Sequence, residues 1–321
     1  MIPTFFGITL ITFFVIHLAP GDPALLKARS QGSKMTADQI SKVVAETRVL
    51  YGLDKPLPVQ YGLWLKRIVT LDFGTSYKDH RPVLKKIAET LPITLTLNGL
   101  TLLIIYGVSL PWGVLTALKP GGRFDRISSV VLYLLYSLPA FWVAMLLIVF
   151  LGGGDTLNLF PISGFMSDDA DQLSFLNRIG NILWHLVLPV TCLTYGGFAF
   201  LSRFSRATML EVLSQDYVRT ARAKGISEWK VIGKHAFRNA LIPQITLLGT
   251  LLPALLGGSV IVEQIFAIPG MGRLSFEAVL SRDYPVIMAI ATIDAFLTLV
   301  SLMLADLAYV AVDPRITFEG S

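Results

Sequence analysis

The chain alternates between long, uninterrupted apolar stretches and shorter polar segments. Each apolar stretch is close to the roughly 20 residues that a helix needs to cross a bilayer. None has the polar face of a half-buried soluble helix, and the strict alternation of a membrane β-strand is not visible. The pattern predicts an all-α integral membrane protein with about six transmembrane helices, over residues 2–18, 91–118, 127–154, 179–202, 239–262 and 284–312.

The first stretch is predicted to be a retained span and not a signal peptide. It lacks a basic region at its start and a small-residue cleavage site before Pro20, and a secretory signal has both. The polar segment 19–90 that follows is expected to form a small outer cap. A helix is predicted to begin there at Thr36, because Gln39 stands three residues later, ahead of an apolar-periodic stretch.

Composition supports the membrane assignment. Apolar residues make up 53% of the chain and charged residues only 15%, whereas ordinary soluble domains carry about 25% charged residues. The net charge of +5 comes from basic residues gathered in particular loops, which favours membrane orientation over nucleic-acid binding. Cys192 is the one cysteine, so an internal disulfide is excluded, and no Cys/His spacing resembles a zinc site.

The charges of the loops predict which side each loop faces. Loop 119–126 has three basic residues against one acidic, and loop 203–238 has eight against three. Loop 155–178 has one basic residue against four acidic, and loop 263–283 has two against three. Short loops rich in Lys and Arg stay in the cytoplasm, so loops 119–126 and 203–238 and both termini are predicted to be cytoplasmic. Segment 19–90 then lies outside, which its length permits despite twelve basic residues.

The longest cytoplasmic loop is predicted to fold as a helix, a sharp turn and a second helix. The first helix should run through Ala223 and end near Gly225, which readily takes a left-handed conformation. Ser227 can cap the second helix, with Glu228 in its first turn. From these residues alone, a solvated basic loop facing anionic lipid and a docking site for another protein are both open.

The residues of this loop carry a resemblance to a known family. Residues 217–225, Tyr-Val-Arg-Thr-Ala-Arg-Ala-Lys-Gly, followed by 238–243, Arg-Asn-Ala-Leu-Ile-Pro, resemble the coupling loop of binding-protein-dependent ABC importer permeases. The general family pattern is Glu-Ala-Ala, three residues, then Gly; here Arg219 and Thr220 replace the first two positions, and Ala221 and Gly225 match. Further matching motifs follow in the family's order, at residues 18–23, 51–57, 72–76, 159–161, 269–272, 282–285 and 313–316.

The resemblance is to the oligopeptide, dipeptide and nickel branch of these permeases. Segments 152–154 and 313–320 are most similar to Yej-type peptide and microcin permeases. The resemblance implies a type I ABC importer permease fold, formed by residues 1–321 as one transmembrane domain in a bacterial inner membrane. It also implies peptides as substrates, with nickel or metal chelates as the alternative, and no catalysis by this chain.

The partners are likewise implied by the resemblance. They are a second homologous permease, two cytoplasmic ATPase subunits and an extracytoplasmic solute-binding protein. The chain has no Gly-x-x-x-x-Gly-Lys-[Ser/Thr] phosphate loop, so ATP and magnesium are expected on the ATPases and no cofactor in this chain. The residues expected to couple to an ATPase are Asp216, Tyr217, Arg219, Thr220, Ala221, Ala223, Lys224 and Gly225.

Asp294 is the candidate for the translocation path. It lies about ten residues inside the last apolar stretch, where a charge costs roughly 2.5–3.5 kcal/mol on insertion scales. It either lines the path and favours cationic substrate groups, or is a structural carboxylate bonded to a neighbouring helix. Two rival functions are an ion-coupled secondary transporter, which would need more paired ionisable residues at midplane, and an intramembrane enzyme, for which no motif is found.

Overall fold

The structure is a computed structural model that describes residues 2–18, 36–51, 54–153, 157–245, 247 and 258–312. Within these residues the chain is helical, and its β-structure is limited to two isolated bridges. The main helices are α1 (Ile2–Leu18), α2 (Ala37–Tyr51), α3 (Leu57–Val69), α4 (Val83–Leu118), α5 (Arg123–Ser137), α6 (Ala140–Leu151), α7 (Phe175–Leu213), α8 (Asp216–Ala223), α9 (Glu228–Lys230), α10 (Val260–Ile265), α11 (Met271–Ser281) and α12 (Tyr284–Val312).

Several of the predicted spans coincide with apolar helices. Among the described residues, three helices are long and apolar enough to cross a membrane, and they cover Val83–Leu118, Phe175–Leu213 and Tyr284–Leu304. Helix α1 begins and ends where the first span is predicted, although its apolar part is shorter. Part of the predicted fifth span lies outside the described residues. The all-α membrane fold is confirmed, while the count of six spans stays a prediction.

The third predicted span is broken, which the sequence pattern did not predict. Helices α5 and α6 meet at an angle of 98° instead of forming one helix over 127–154. The break lies at Leu138 and Pro139, where Leu138 has the extended conformation (φ −80°, ψ 131°). A proline disfavours helical geometry in the residue before it, so Pro139 ends α5. The same proline stands before the first residue of α6.

Residue contacts divide the chain into two units, and the first comprises Met1–Ile93 with Gly270–Val300. In this unit Asp283, between α11 and α12, is almost completely buried. Its carboxylate accepts hydrogen bonds from the Ser76 hydroxyl and, at 2.9 Å, from the Tyr77 backbone N–H. The two motifs at 72–76 and 282–285 are therefore joined by one buried carboxylate.

Segment 19–90 contains helices of its own, as predicted. Helix α2 begins after Thr36, whose backbone N–H donates to Gln39 Oε1 at 3.0 Å. This is the bond that a glutamine at the third helical position is expected to make. The beginning of the segment, residues 19–35, lies outside the described residues.

The second unit comprises Thr94–Pro269 with Ser301–Ser321. Its longest helix is the 39-residue α7, which continues through Pro189 without a break and packs along both α5 and α6. A cluster of small and medium apolar side chains lies at the C-terminal end of α7, and it is formed by Ala117, Met209, Val218, Ala221, Val231, Ile232, Ala236 and Ala240. This cluster joins the ends of two long helices to the loop that follows.

Candidate coupling site

The loop after α7 folds as a helical hairpin. Helix α8 covers Asp216–Ala223, and Gly225 follows with φ +73°. The Ile226 N–H points back to the Ala221 carbonyl at 3.4 Å, and the Gly225 N–H donates to the Arg222 carbonyl at 2.9 Å. A left-handed glycine with such back-bonds is a common helix end. The structure therefore confirms the predicted short helix and its end. We name residues 216–230 the coupling hairpin.

One face of the coupling hairpin is fixed to the body of the protein. Val218 is fully buried and Ala221 is 5% exposed, and their spacing of three residues places them on one side of α8. Both belong to the apolar cluster that includes Met209 and Val231. Ala221 therefore packs inside this chain, and its small side chain allows the helix to lie close to its neighbours.

The opposite face of the hairpin is exposed. Six of the eight residues that the sequence analysis assigned to coupling are on the exposed side of α8 or just after it, namely Asp216, Tyr217, Arg219, Thr220, Ala223 and Lys224. Gly225 is exposed at the turn itself. Arg219 lies 3.6 Å from Asp216, a pair in which both side chains are largely open to solvent. The Tyr217 hydroxyl accepts a hydrogen bond of 3.0 Å from the Asn239 amide, so its ring has a defined position.

The two arms of the hairpin are joined by an ion pair. Arg222 Nη2 lies 2.8 Å from Glu228 Oε1, and Arg222 Nε lies 3.2 Å from Glu228 Oε2. Hydrogen bonding by the guanidinium lowers the pKa of Glu228 below its usual value. Ser227 occupies the position before α9, but its side chain makes no capping hydrogen bond. The side-chain cap predicted at Ser227 is therefore wrong, although Glu228 does stand in the first turn of α9 as predicted.

The second arm has two features that sequence reasoning did not find. Trp229 is 79% exposed. In the sequence it differs from its neighbours only as one large aromatic residue among charged and small ones. The helix then widens to a π-helix over Val231–Phe237 before returning to α-helix at Arg238. The sequence analysis predicted a second helix after Ser227 but gave no indication of the wider turn.

Asp294 lies on α12, far from the hairpin in sequence. Its side chain is half-buried. The Thr298 hydroxyl donates to the backbone carbonyl of Asp294 at 2.7 Å, and no hydrogen bond or ion pair to the Asp294 carboxylate is found within the described residues. The coupling residues belong to the second unit of the chain and Asp294 to the first. No group of three or more potential metal ligands occurs in the described part of the chain.

Two family matches together cover nearly the whole chain. Residues 109–318 match the binding-protein-dependent transport system inner membrane component, and residues 2–98 match the N-terminal region of the corresponding membrane component. The chain belongs to this family. It is therefore a multi-pass inner-membrane permease of a binding-protein-dependent ABC transport system, and it works together with the other components of such a system.

Full-length relatives support the assignment. The permease is 40% identical over 318 residues to the oligopeptide transport system permease protein AppB of Bacillus subtilis, with 99% of this chain and 96% of the relative covered. It is 36% identical to the inner membrane ABC transporter permease protein YejB of Escherichia coli O157:H7, covering 100% and 97%. It is also 36% identical to the dipeptide transport system permease protein DppB of Escherichia coli K12, covering 98% and 96%.

Proposed function

We propose that this permease imports di- or oligopeptides, or peptide-like compounds, as one of two permease subunits that form the translocation path. Two cytoplasmic ATPase subunits, which bind ATP and magnesium, supply the energy, and an extracytoplasmic protein delivers the substrate. This chain catalyses no reaction of its own. The names of the relatives in Bacillus subtilis and Escherichia coli K12 support a peptide substrate.

The coupling hairpin is the observation that carries this proposal. It combines a base that is buried in the protein's own core with an exposed face that includes Arg219 and Lys224. A partner that pushes on the exposed face cannot move α8 alone, because Val218 and Ala221 are packed against Met209 of α7. Close packing of this kind transmits displacement, since protein interiors have low compressibility.

The exposed face also has a surface that suits close contact. Thr220 and Ala223 are small and lie between the two basic residues, so a partner helix or groove could approach the backbone of α8 there. Cytoplasmic ATPases meet the permease from the inner side, which agrees with the side predicted for loop 203–238 from its charge. The hairpin therefore provides both the contact surface and the rigid connection that coupling requires.

A substitution at Ala223 tests the proposal. Ala223→Glu adds a bulky acidic side chain to the exposed face without entering the core. Ala221→Glu would bury a charge in the apolar cluster, and Gly225→Glu would strain a backbone at φ +73°, so neither isolates docking. We expect Ala223→Glu to lower substrate-stimulated ATP hydrolysis in the reconstituted complex by about tenfold, the factor that a loss of 1.4 kcal/mol gives.

The matched control is Ala207→Glu, which makes the same change at an exposed alanine of α7 outside the hairpin. Its stimulated hydrolysis should equal that of the unmodified complex. Normal stimulation in Ala223→Glu, in a complex that contains the full amount of ATPase, would remove the docking assignment.

The second part of the proposal concerns Asp294 and the charge of the substrate. Ionisable residues within membrane helices usually face a cavity or a partner. Phe296, whose side chain is 56% exposed, lies two residues further on and therefore about 160° away around the helix. Asp294 points away from that exposed side, and we propose that its carboxylate lines the translocation path and favours peptides with cationic groups.

Uptake of peptides that differ only in charge tests the role of Asp294. The substitution Asp294→Asn keeps the size of the side chain and removes the charge. We expect uptake of peptides with an added lysine to fall by about fivefold or more relative to uptake of neutral peptides, the lower end of measured coupling effects between two sites. An unchanged preference among lysine-containing, neutral and glutamate-containing peptides would show that the carboxylate is structural.

A further inference from the structure

A partly buried ion pair connects α5 to α7 close to the coupling hairpin. Arg206 Nε lies 2.5 Å from Asp125 Oδ1, and Arg206 Nη2 lies 2.7 Å from Asp125 Oδ2. The backbone N–H of Gly121 also donates to Asp125 Oδ2, at 2.8 Å. Asp125 is only 4% exposed. A bidentate arginine–carboxylate pair fixes the orientation of both groups as well as their distance.

A second arginine of α7 contacts α5 in a similar way. The Arg203 guanidinium carbon lies 3.7 Å from the centre of the Tyr133 ring, and Arg203 Nη2 donates to the Tyr133 hydroxyl at 2.6 Å. Tyr133 and Asp125 are eight residues apart on α5, which is about 12 Å along the helix. Because the two helices are held at two separated points, α5 can neither slide nor rotate easily against α7.

The ion pair lies between the hairpin and the broken third span. Arg206 is three residues before Met209 on α7, about 4.5 Å along the helix, and Met209 packs in the cluster that holds the base of the hairpin. On the other side of the pair, Asp125 is in the first turn of α5, which leads to the break at Pro139. A displacement of the hairpin that moves the end of α7 therefore acts on α5 through Asp125.

We propose that Asp125 and Arg206 are positioning residues that transmit the movement of the coupling hairpin to the third span. This inference rests on the proposed function, because it assumes that the hairpin receives force from an ATPase. Apolar packing also holds the two helices together, and the bidentate pair adds a fixed orientation of one helix against the other. The bidentate pair fixes a single register, so the helices move as one body.

The ratio of substrate imported to ATP hydrolysed tests this role in the complete reconstituted transporter. Asp125→Asn and Arg206→Gln each remove one charge of the pair. In both variants we expect the imported substrate per ATP to fall by about fivefold or more, while the amount of ATPase bound to the permease stays unchanged. Arg206→Lys keeps the charge but loses the fork of two donors, and it should give an intermediate ratio.

The control is Glu89→Gln, which breaks another arginine–carboxylate pair, in which Arg81 Nη2 lies 2.7 Å from each of the two Glu89 oxygens. This pair lies in the other unit of the chain and is exposed, so the ratio should equal that of the unmodified transporter. If Asp125 were only structural, its loss would reduce the number of assembled complexes but leave the ratio per complex unchanged.

The inference would be overturned if Asp125→Asn or Arg206→Gln imported as much substrate per ATP, in each assembled complex, as the unmodified transporter does. If those two variants fail to assemble, Arg206→Lys is measured in their place. An unreduced ratio of imported substrate to hydrolysed ATP in Arg206→Lys would also overturn the inference. Failure of the proposed function looks different, because the unmodified complex would then import substrate without ATP hydrolysis.

Discussion

Gly113 allows helix α4 to lie directly against α7. A Cβ atom at this position would be 2.5 Å from Ser205 Cβ and 2.8 Å from the backbone carbonyl oxygen of Ser202. The second of these contacts is with helix backbone, which cannot rotate away. Small residues are common where membrane helices cross, because they let the backbones approach closely. The contact therefore depends on the absence of a side chain at one residue.

We expect Gly113→Ala to destabilise the permease by about 1–3 kcal/mol, the usual cost of overpacking a close contact. Gly107→Ala is the control on the same helix, because nothing lies within 4 Å of its added Cβ. That substitution should be neutral or slightly stabilising, since alanine favours a helix over glycine by up to about 1 kcal/mol. Thermal unfolding in detergent measures both, and equal stability of the two variants would contradict the assigned contact.

The residues of the hairpin show what a sequence can reveal at this scale. The role of Gly225 could be predicted, because a helix end with positive φ strongly favours glycine. The burial of Ala221 could not, because a motif gives the residue type without the direction of its side chain. Asp125 and Arg206 were seen only as members of basic loops, since residues 81 positions apart in the chain give no local signal of their pairing.

At the scale of helices, the break between α5 and α6 is stabilised by side chains of α7. The Tyr195 hydroxyl donates to the Leu138 carbonyl at 2.6 Å, and Cys192 Sγ lies 3.2 Å from the Ala140 carbonyl. A carbonyl freed by a helix break must find such a partner inside a membrane, because no water is available there. The Tyr195 hydroxyl therefore helps to keep the 98° bend, because Leu138 directly follows the last residue of α5.

Tyr195→Phe should destabilise the permease by about 1–3 kcal/mol, because it leaves the Leu138 carbonyl without this donor in an apolar environment. Tyr136→Phe is a suitable control, since Tyr136 is largely exposed and lies on α5 next to the break. Chemical or thermal unfolding of the two purified variants provides the comparison. Equal stability would mean that another group satisfies the Leu138 carbonyl.

The positions of the long helices could be predicted from apolar stretches, although α4 and α7 extend beyond the predicted spans, whereas the break could not be predicted. Pro111 lies within α4 and Pro189 within α7, and both helices continue through their prolines. Pro139 ends its helix. At the break the freed Leu138 carbonyl finds its partner on α7. Such partners are distant in sequence, so a proline in an apolar stretch indicates only that a break is possible.

At the scale of the whole molecule, the side on which each loop lies is still a prediction from charge. Cys192 is the one cysteine of the chain and is buried, so Cys192→Ser gives a cysteine-free protein that retains a donor toward Ala140. In this background Lys224→Cys should react with an impermeant thiol reagent only from the cytoplasmic side. Asp168→Cys, in loop 155–178, should react only from outside.

Both positions are exposed in the structure, so a lack of reaction reports shielding by the membrane and not burial. The permease is labelled in the membrane without its ATPase subunits, because an ATPase bound to the hairpin would protect Lys224→Cys. Reaction of Lys224→Cys from the outside would place the hairpin on the wrong side for an ATPase. It would exclude the proposed coupling while leaving the family assignment in place.

The buried carboxylate of Asp283 has a consequence for how the chain is made. Its partner Tyr77 precedes it by 206 residues. At synthesis rates of about 5–20 residues per second, Ser76 and Tyr77 leave the ribosome roughly 10–40 seconds before Asp283 does. During that interval the early segment holds hydrogen-bond donors whose acceptor does not yet exist. A nascent chain that stops before residue 283 can never complete this junction.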